Sequence, residues 1–257
     1  MANEFLSVTE TGGEPVTKAQ LARLYQRYVW AGEYCRNKNV AEFACGTGTG
    51  LGYLASVSKT LIAADIATDV LEVAREHYGD RIDIRQFSAD KAPLADQSLD
   101  ALILFEALYY LPDIDLFLKE AARLLRPGGV LLLATANKDL KDFNRSPFSV
   151  TYLNPPELEA RLKPYGFKSN FYGGSPVAEP SVLSSLLRLA KLFAARLNLI
   201  PKTMKGKRLL KRLVFGKLVV MPREFSEPVP FYDPPIAISA IHPDNIHQVL
   251  YCIATKE

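Results

Sequence analysis

Apolar residues in this chain come in short, nearly continuous runs separated by stretches of helical period. Val40, Ala41, Phe43 and Ala44 end in a turn of small residues, Cys45 to Gly50. Thr60 to Ala64, Ile82 to Phe87, Leu99 to Phe105 and Val130 to Ala136 follow as further runs. Runs of this length and density are expected of parallel strands buried on both faces. Between them, Leu21, Leu24, Tyr25, Tyr28 and Val29 share one helical side behind a capping Thr17. Val70, Leu71, Val73 and Ala74 form a second such face behind Thr68. Leu116, Phe117, Ala121, Leu124 and Leu125 form a third, behind Asp113 or Asp115. That third helix is stopped by Arg126-Pro127-Gly128-Gly129, a strong breaker. Asn154-Pro155-Pro156-Glu157 opens another helix, with Asn154 as its cap and proline in the first turn. Gly166 to Tyr172 and Val249 to Thr255 read as the sixth and last strands. The alternation predicts an α/β chain with a doubly wound, mostly parallel sheet. Glu4 to Pro15 reads as a loose leader.

The last two strands could have been a short hairpin, yet residues 173–248 separate them. Residues 175–246 are therefore assigned to an inserted cap, and residues 1–174 and 247–257 to the main unit. From Pro180 to Pro222 the insertion holds no acidic residue but ten basic ones, among them Arg188, Lys191, Lys205, Lys207, Arg208, Lys211 and Arg212. Leu183, Leu186, Leu187, Ala190, Phe193, Ala194 and Leu197 fall on one helical side. A basic amphipathic helix suits a membrane surface or a partner; the alternative is a cover over the site with its lysines in water.

Composition narrows the classes. With 48% hydrophobic and 23% charged residues among 257, the chain is an ordinary globular one. A formal net charge of +3 gives no ground for nucleic-acid binding, and none is expected. The three cysteines, Cys35, Cys45 and Cys252, are widely spaced, which argues against a disulfide framework or a zinc site. A reduced, cytoplasmic setting follows as the expectation. The first fifteen residues are polar and lack a signal-peptide pattern, and no apolar run has the length of a membrane span.

The turn after Val40 carries the chemistry. Glycines let backbone approach a ligand, and a helix start offers free N–H groups. A dinucleotide site needs a third glycine in the spacing G-x-G-x-x-G, and here glycines stand at 46, 48, 50 and 52 without meeting it. Glu42, Gly46 and Gly48 instead fit a strand acid followed by a glycine turn, with Ala44 replacing the first glycine.

From Val40 to Ala136 the chain resembles the class I S-adenosylmethionine-dependent methyltransferases, in particular the small-molecule branch called type 11. The resemblance rests on Glu42 to Gly48, on Asp65 ending the second strand, and on Ser88-Ala89-Asp90. Leu94 to Asp100 and Leu124 to Gly129 complete it. It implies a Rossmann-like, seven-stranded, mostly parallel sheet, the helical basic cap falling between strands six and seven. It implies S-adenosyl-L-methionine as cofactor and no metal. Ala44, Cys45, Gly46, Thr47 and Gly48 would border its methionine and ribose parts, with Glu42 behind them and Tyr28 across them. Asp65 would accept the ribose hydroxyls, Ile66 would pack on adenine, and Asp90 would accept from the adenine amine, flanked by Ala89 and Lys91. Phe105 and Glu106 would face the methionine end. Ala44 departs from the family pattern, which puts the contacts at that residue in question.

Methyl transfer is an in-line displacement in which the protein supplies alignment, desolvation and sometimes a base. Glu106, Tyr109 and Tyr110 are the candidates on the acceptor side: Glu106 to orient the cofactor ammonium or act as a base, the tyrosines to line the pocket. Adjacent tyrosines on a helix face different ways, so one of them at most is expected to reach the acceptor. No histidine stands in this stretch; His242 is a remote alternative. Asn154-Pro155-Pro156-Glu157 resembles an amine-methylating motif, but it follows the fifth strand and lacks the aromatic residue. The leading expectation is a methyltransferase acting on O or N of a small, largely apolar or amphiphilic molecule. The alternatives are a lipid or lipid-linked acceptor with membrane contact through residues 181–221, and a non-catalytic module binding the cofactor or a partner.

Overall fold

The structure is a computed structural model, and it describes residues 9–177, 218–225 and 232–257. A short strand, β1 (Pro15–Val16), leads to Thr17, which opens α1 (Lys18–Cys35) with a capping box. The Thr17 hydroxyl accepts the Gln20 N–H at 3.1 Å, and the Gln20 side chain accepts the Thr17 N–H at 2.9 Å. The chain then alternates: β2 (Asn39–Phe43), α2 (Leu51–Val57), β3 (Thr60–Asp65), α3 (Thr68–Tyr78), β4 (Asp83–Gln86) and β5 (Leu99–Phe105). After β5 come α4 (Ile114–Leu124), β6 (Leu125–Ala136), α5 (Pro155–Leu162) and β7 (Phe167–Pro176). The short β8 (Val219–Val220) and β9 (Ile236–Ile238) precede the closing β10 (His247–Lys256).

One sheet of order β4-β3-β2-β5-β6-β10-β7-β9 organises the fold. Strands β4 to β6 run parallel, whereas β10 is antiparallel to both β6 and β7. The seven expected strands are all present. An eighth, β9, pairs antiparallel with the outer edge of β7 and comes from inside the 175–246 stretch. The alternating side chains of β5 show how both faces are filled. Leu102 and Leu104 join the α4 and α5 side with Phe117, Leu118 and Leu158; Ala101, Ile103 and Phe105 join the α1 and α2 side with Leu24, Trp30 and Leu54. Each fully buried leucine or isoleucine contributes roughly 1.5–3 kcal/mol.

Some boundaries differ from the sequence pattern for local reasons. β6 begins at Leu125 because the Arg126–Gly129 turn is absorbed as an irregularity, with Leu99 opposite Leu125 and then Ala101 opposite Val130. Thr68 is the first helical residue of α3, not its cap; the Ala67 N–H is taken by Asp65 Oδ1 at 2.9 Å. The leader is tied down from Thr9 onward. Thr47 Oγ1 donates to the Glu10 carbonyl at 2.8 Å, the Gly13 N–H donates to Met221 O, and β1 pairs with β8.

Part of the expected insertion therefore packs onto the main unit. Met221 and Phe225 are buried, with the Phe225 ring stacked on Tyr53 and edge-on to Tyr28, while Glu224 meets His77 and Arg81. The basic amphipathic pattern at 181–217 lies outside the described residues. No helix among the described residues is long and apolar enough to cross a membrane. Cys35, Cys45 and Cys252 are buried and unpaired.

Candidate active site

β2 delivers the chain to a turn in which Ala44, Gly46 and Gly48 all take positive φ, at 54°, 57° and 81°. Asp65, at the carboxyl end of β3, braces it: the Gly46 N–H donates to Oδ2 at 3.0 Å. Burial pushes the Asp65 carboxyl above its usual range, while the N–H groups of Ala67, Gly46 and Ile66 pull it back. A Cβ at Gly50 would lie 2.2 Å from the Tyr28 ring, so this glycine is what lets α1 lay Tyr28 over the turn. Ala44 departs from the family pattern at a residue that needs left-handed backbone, a conformation costing an L-residue roughly 1–2 kcal/mol. Ala44→Gly is therefore expected to raise stability by about 0.5–1 kcal/mol in urea denaturation, the remainder being lost to the greater freedom of unfolded glycine.

Above the turn lies a cluster of buried charge. Glu42 is 1% exposed; its Oε1 accepts the Tyr28 hydroxyl at 2.7 Å, and its Oε2 has no partner among the described residues. Burial pushes the Glu42 carboxyl up to about 8 against the opposing pull of Tyr28 and Arg27. Burial, and then the facing Glu42, hold the Tyr28 phenol well above its ordinary value. One residue before Tyr28, Arg27 is also buried. It pairs with Glu10 of the leader at 2.5 Å and Glu106 at 3.3 Å, and its Nε has no partner among the described residues. Burial opposes the Arg27 charge, but Glu10 and Glu106 outweigh it and keep the guanidinium protonated. Glu106 follows β5 with φ at 51°, and its Oε2 accepts the Tyr109 hydroxyl at 3.0 Å. Backbone held in sparsely populated regions concentrates at functional sites, and here it aims a carboxylate.

A family model described as a methyltransferase domain matches residues 41–133, from the middle of β2 almost to the end of β6. This stretch is a methyltransferase domain, and the relatives it matches support the class I S-adenosylmethionine-dependent family. A probable S-adenosylmethionine-dependent methyltransferase from Mycolicibacterium smegmatis is 34% identical over 149 residues, covering 56% of each chain. A ubiquinone biosynthesis O-methyltransferase from Brucella anthropi is 28% identical over 145 residues, 49% of this chain and 58% of that protein. This chain thus spans little more than half the length of these relatives. A solved methyltransferase from Thermotoga maritima superposes with a TM-score of 0.57 at 15% identity over 93% of this chain and 92% of that one, which shows a shared fold.

Within this methyltransferase domain the expected site residues divide into two groups. Tyr28, Glu42, Ala44, Cys45, Gly46, Thr47, Gly48, Asp65, Phe105, Glu106 and Tyr109 gather at the carboxyl ends of β2, β3 and β5, with Phe105 edge-on to Tyr28 at 5.6 Å. Ile66 stands 60% exposed beside Asp65. Ala89, Asp90 and Lys91 lie on the turn after β4, closed by the Lys91 N–H on Ser88 O. Among the described residues no hydrogen bond or ion pair joins Asp90 or Lys91 to the first group.

The two tyrosines point to different partners, as expected of neighbours. Tyr109 is buried and stacks on Tyr152 at 4.4 Å; Tyr110 is half-buried and shares a 2.5 Å hydrogen bond with Ser146. Burial and the Glu106 carboxylate hold the Tyr109 phenol far above its ordinary value, so it stays a donor to Glu106. Phe143 meets Tyr152 edge-on and completes an aromatic wall. Arg27, Glu10, Tyr152 and Phe143 are absent from the sequence-derived set. Arg27 carried a signal: it shares the inner side of α1 with Leu24 and Tyr28.

Proposed function

We propose that the chain transfers a methyl group from S-adenosyl-L-methionine to an oxygen or nitrogen of a small, largely apolar acceptor. The reading is carried by two orphaned, buried polar atoms beside the glycine turn, Glu42 Oε2 and Arg27 Nε. Buried polar atoms are nearly always satisfied, so one spare carboxylate oxygen and one spare guanidinium N–H, each on a group otherwise partnered, fit a zwitterionic ligand end. When bound, the cofactor supplies an electrophilic methyl on its sulfonium. Arg27 receives the methionine carboxylate, and Glu42 and Glu106 face the ammonium. Asp65 takes the ribose hydroxyls, Ile66 covers adenine, and Asp90 accepts from its amine between Ala89 and Lys91.

On the acceptor side, Tyr109 fixes the Glu106 carboxylate, which is placed to orient the ammonium or to take a proton from the acceptor. Tyr109, Tyr110, Tyr152 and Phe143 offer an apolar surface that excludes water from the displacement. The O-methyltransferase relative from Brucella anthropi supports oxygen as the methylated atom.

Calorimetric titration of the full chain with S-adenosyl-L-methionine tests this. Binding is expected, and Asp65→Ala should weaken it about tenfold or more, since hydrogen bonds to a carboxylate contribute roughly 1.5–3 kcal/mol each. No binding by the parent protein overturns the reading.

A further inference from the structure

Arg27 is paired with two acids, whereas Arg23, one turn earlier on the same side of α1, feels the charge of Glu10 and Glu106 but makes no ion pair among the described residues. Among the described residues its guanidinium makes one hydrogen bond, to Gln248 Oε1 at 3.0 Å, and no ion pair. Burial and the neighbouring Arg27 lower its pKa, and Glu10 and Glu106 offset that only in part. Gln248 is the second residue of β10, at the carboxyl edge of the sheet, where its carbonyl receives the N–H of Asn137, the residue after β6.

Tyr251 lies three residues further along β10. It sits opposite Ala134 of β6, the residue that is also opposite Phe105 and whose carbonyl accepts the Glu106 N–H. Phe105, Ala134 and Tyr251 thus form one row across the sheet, all facing α1, with the small Ala134 between two rings. The Tyr251 ring leans over Gly174 toward the carboxyl edge, since a Cβ at Gly174 would lie 2.8 Å from Tyr251 Cε2. Its side chain is fully buried, and its hydroxyl has no partner among the described residues. Arg23, Arg27, Glu106 and Tyr251 lie close enough to feel one another's charge.

An arginine with no ion pair and a buried phenol with no acceptor, both among the described residues, therefore share one wall. It stands beside Glu106, on the β6 and β10 side, away from the glycine turn. Both are donors, and a guanidinium fork matches a carboxylate or phosphate. We propose that Arg23 and Tyr251, with Gln248 holding the Arg23 fork, bind an oxyanion, a carboxylate or phosphate, carried by the methyl acceptor. This rests on the methyltransferase reading and adds one anionic end to an acceptor whose body meets the aromatic wall.

The test uses the full chain saturated with S-adenosylhomocysteine, titrated with benzoate, phenyl phosphate and the uncharged benzamide. At least one anion is expected to bind ten times more tightly than benzamide, and the tighter of the two identifies the oxyanion. Arg23→Gln should erase that advantage, Arg23→Lys should keep part of it, and Tyr251→Phe should reduce it threefold or more. S-adenosylhomocysteine affinity and melting temperature should stay near the parent values in Tyr251→Phe and Arg23→Lys. If S-adenosylhomocysteine binds but neither anion outdoes benzamide, or Arg23→Gln leaves the anion affinity unchanged, the oxyanion subsite is overturned. If S-adenosylhomocysteine itself does not bind the parent, the underlying reading falls and the subsite with it.

Discussion

Arg27→Gln is expected to weaken S-adenosyl-L-methionine binding about a hundredfold. A guanidinium donating two charge-assisted hydrogen bonds to a carboxylate contributes on the order of 3 kcal/mol, and each 1.4 kcal/mol is tenfold in affinity. The Gln amide keeps a donor but neither the charge nor the fork. Arg27→Lys should recover the charge without the paired geometry and fall between the two, about tenfold below the parent. A purely structural Arg27 would give a different pattern: both variants would lower the melting temperature together and leave cofactor affinity in step with the folded fraction. Calorimetry on fully folded protein, with the thermal transition measured beside it, separates the cases. Affinity within threefold of the parent in a folded Arg27→Gln protein would remove Arg27 from the site. Glu10 makes the experiment informative, because its carboxylate already occupies the guanidinium at 2.5 Å and stands where a ligand carboxylate is expected.

The reasons Arg27 escaped the sequence reading apply to much of what was not legible. Local chemistry could be read directly: the capping boxes of Thr17 with Gln20 and Asn154 with Glu157 form from residues three apart. Strand ends could be read too, because Glu42, Asp65 and Glu106 stand at fixed places relative to apolar runs and a glycine turn. Arg27 sits on an amphipathic helix, where an arginine ordinarily extends to water. Its burial depends on Glu10, from a leader that looked loose, and on Glu106, far along the chain.

Tyr251 hides in the same way inside Val249 to Thr255, a run that reads as plain buried strand. Its orphan hydroxyl exists only because β10 falls between β6 and β7 beneath α1. Phe225 was overshadowed by the basic stretch before it, and nothing local says that it would stack on Tyr53. Ala44 shows the opposite case. The missing glycine was visible, but whether it mattered for ligand approach or for backbone hand needed the φ of 54°.

Glu42 yields the second large effect, in stability against pH. Its folded carboxyl is pushed up from the ordinary 4.5 to about 8, first by burial. The folded state therefore holds this proton more tightly than the unfolded chain does. Its stabilising contribution is complete below about 4.5 and is lost as pH rises to about 8, after which it is flat. Glu42→Gln keeps an acceptor for the Tyr28 hydroxyl and carries no charge, so it removes this slope. The variant should match the parent near pH 4.5 and exceed it by on the order of 5 kcal/mol at about pH 9, at roughly 1.4 kcal/mol for each tenfold difference in proton affinity. Urea denaturation of both proteins across that range measures the difference, and parallel stability curves would sink the idea.

The same carboxyl links stability to ligand. A cationic ammonium beside Glu42 favours its ionised form, so binding S-adenosyl-L-methionine near pH 7 should release part of a proton in the parent and none from this residue in Glu42→Gln. Titrations in two buffers of different ionisation enthalpy report that release. Equal release in parent and variant would show that the proton comes from elsewhere and that Glu42 is an inert buried acid.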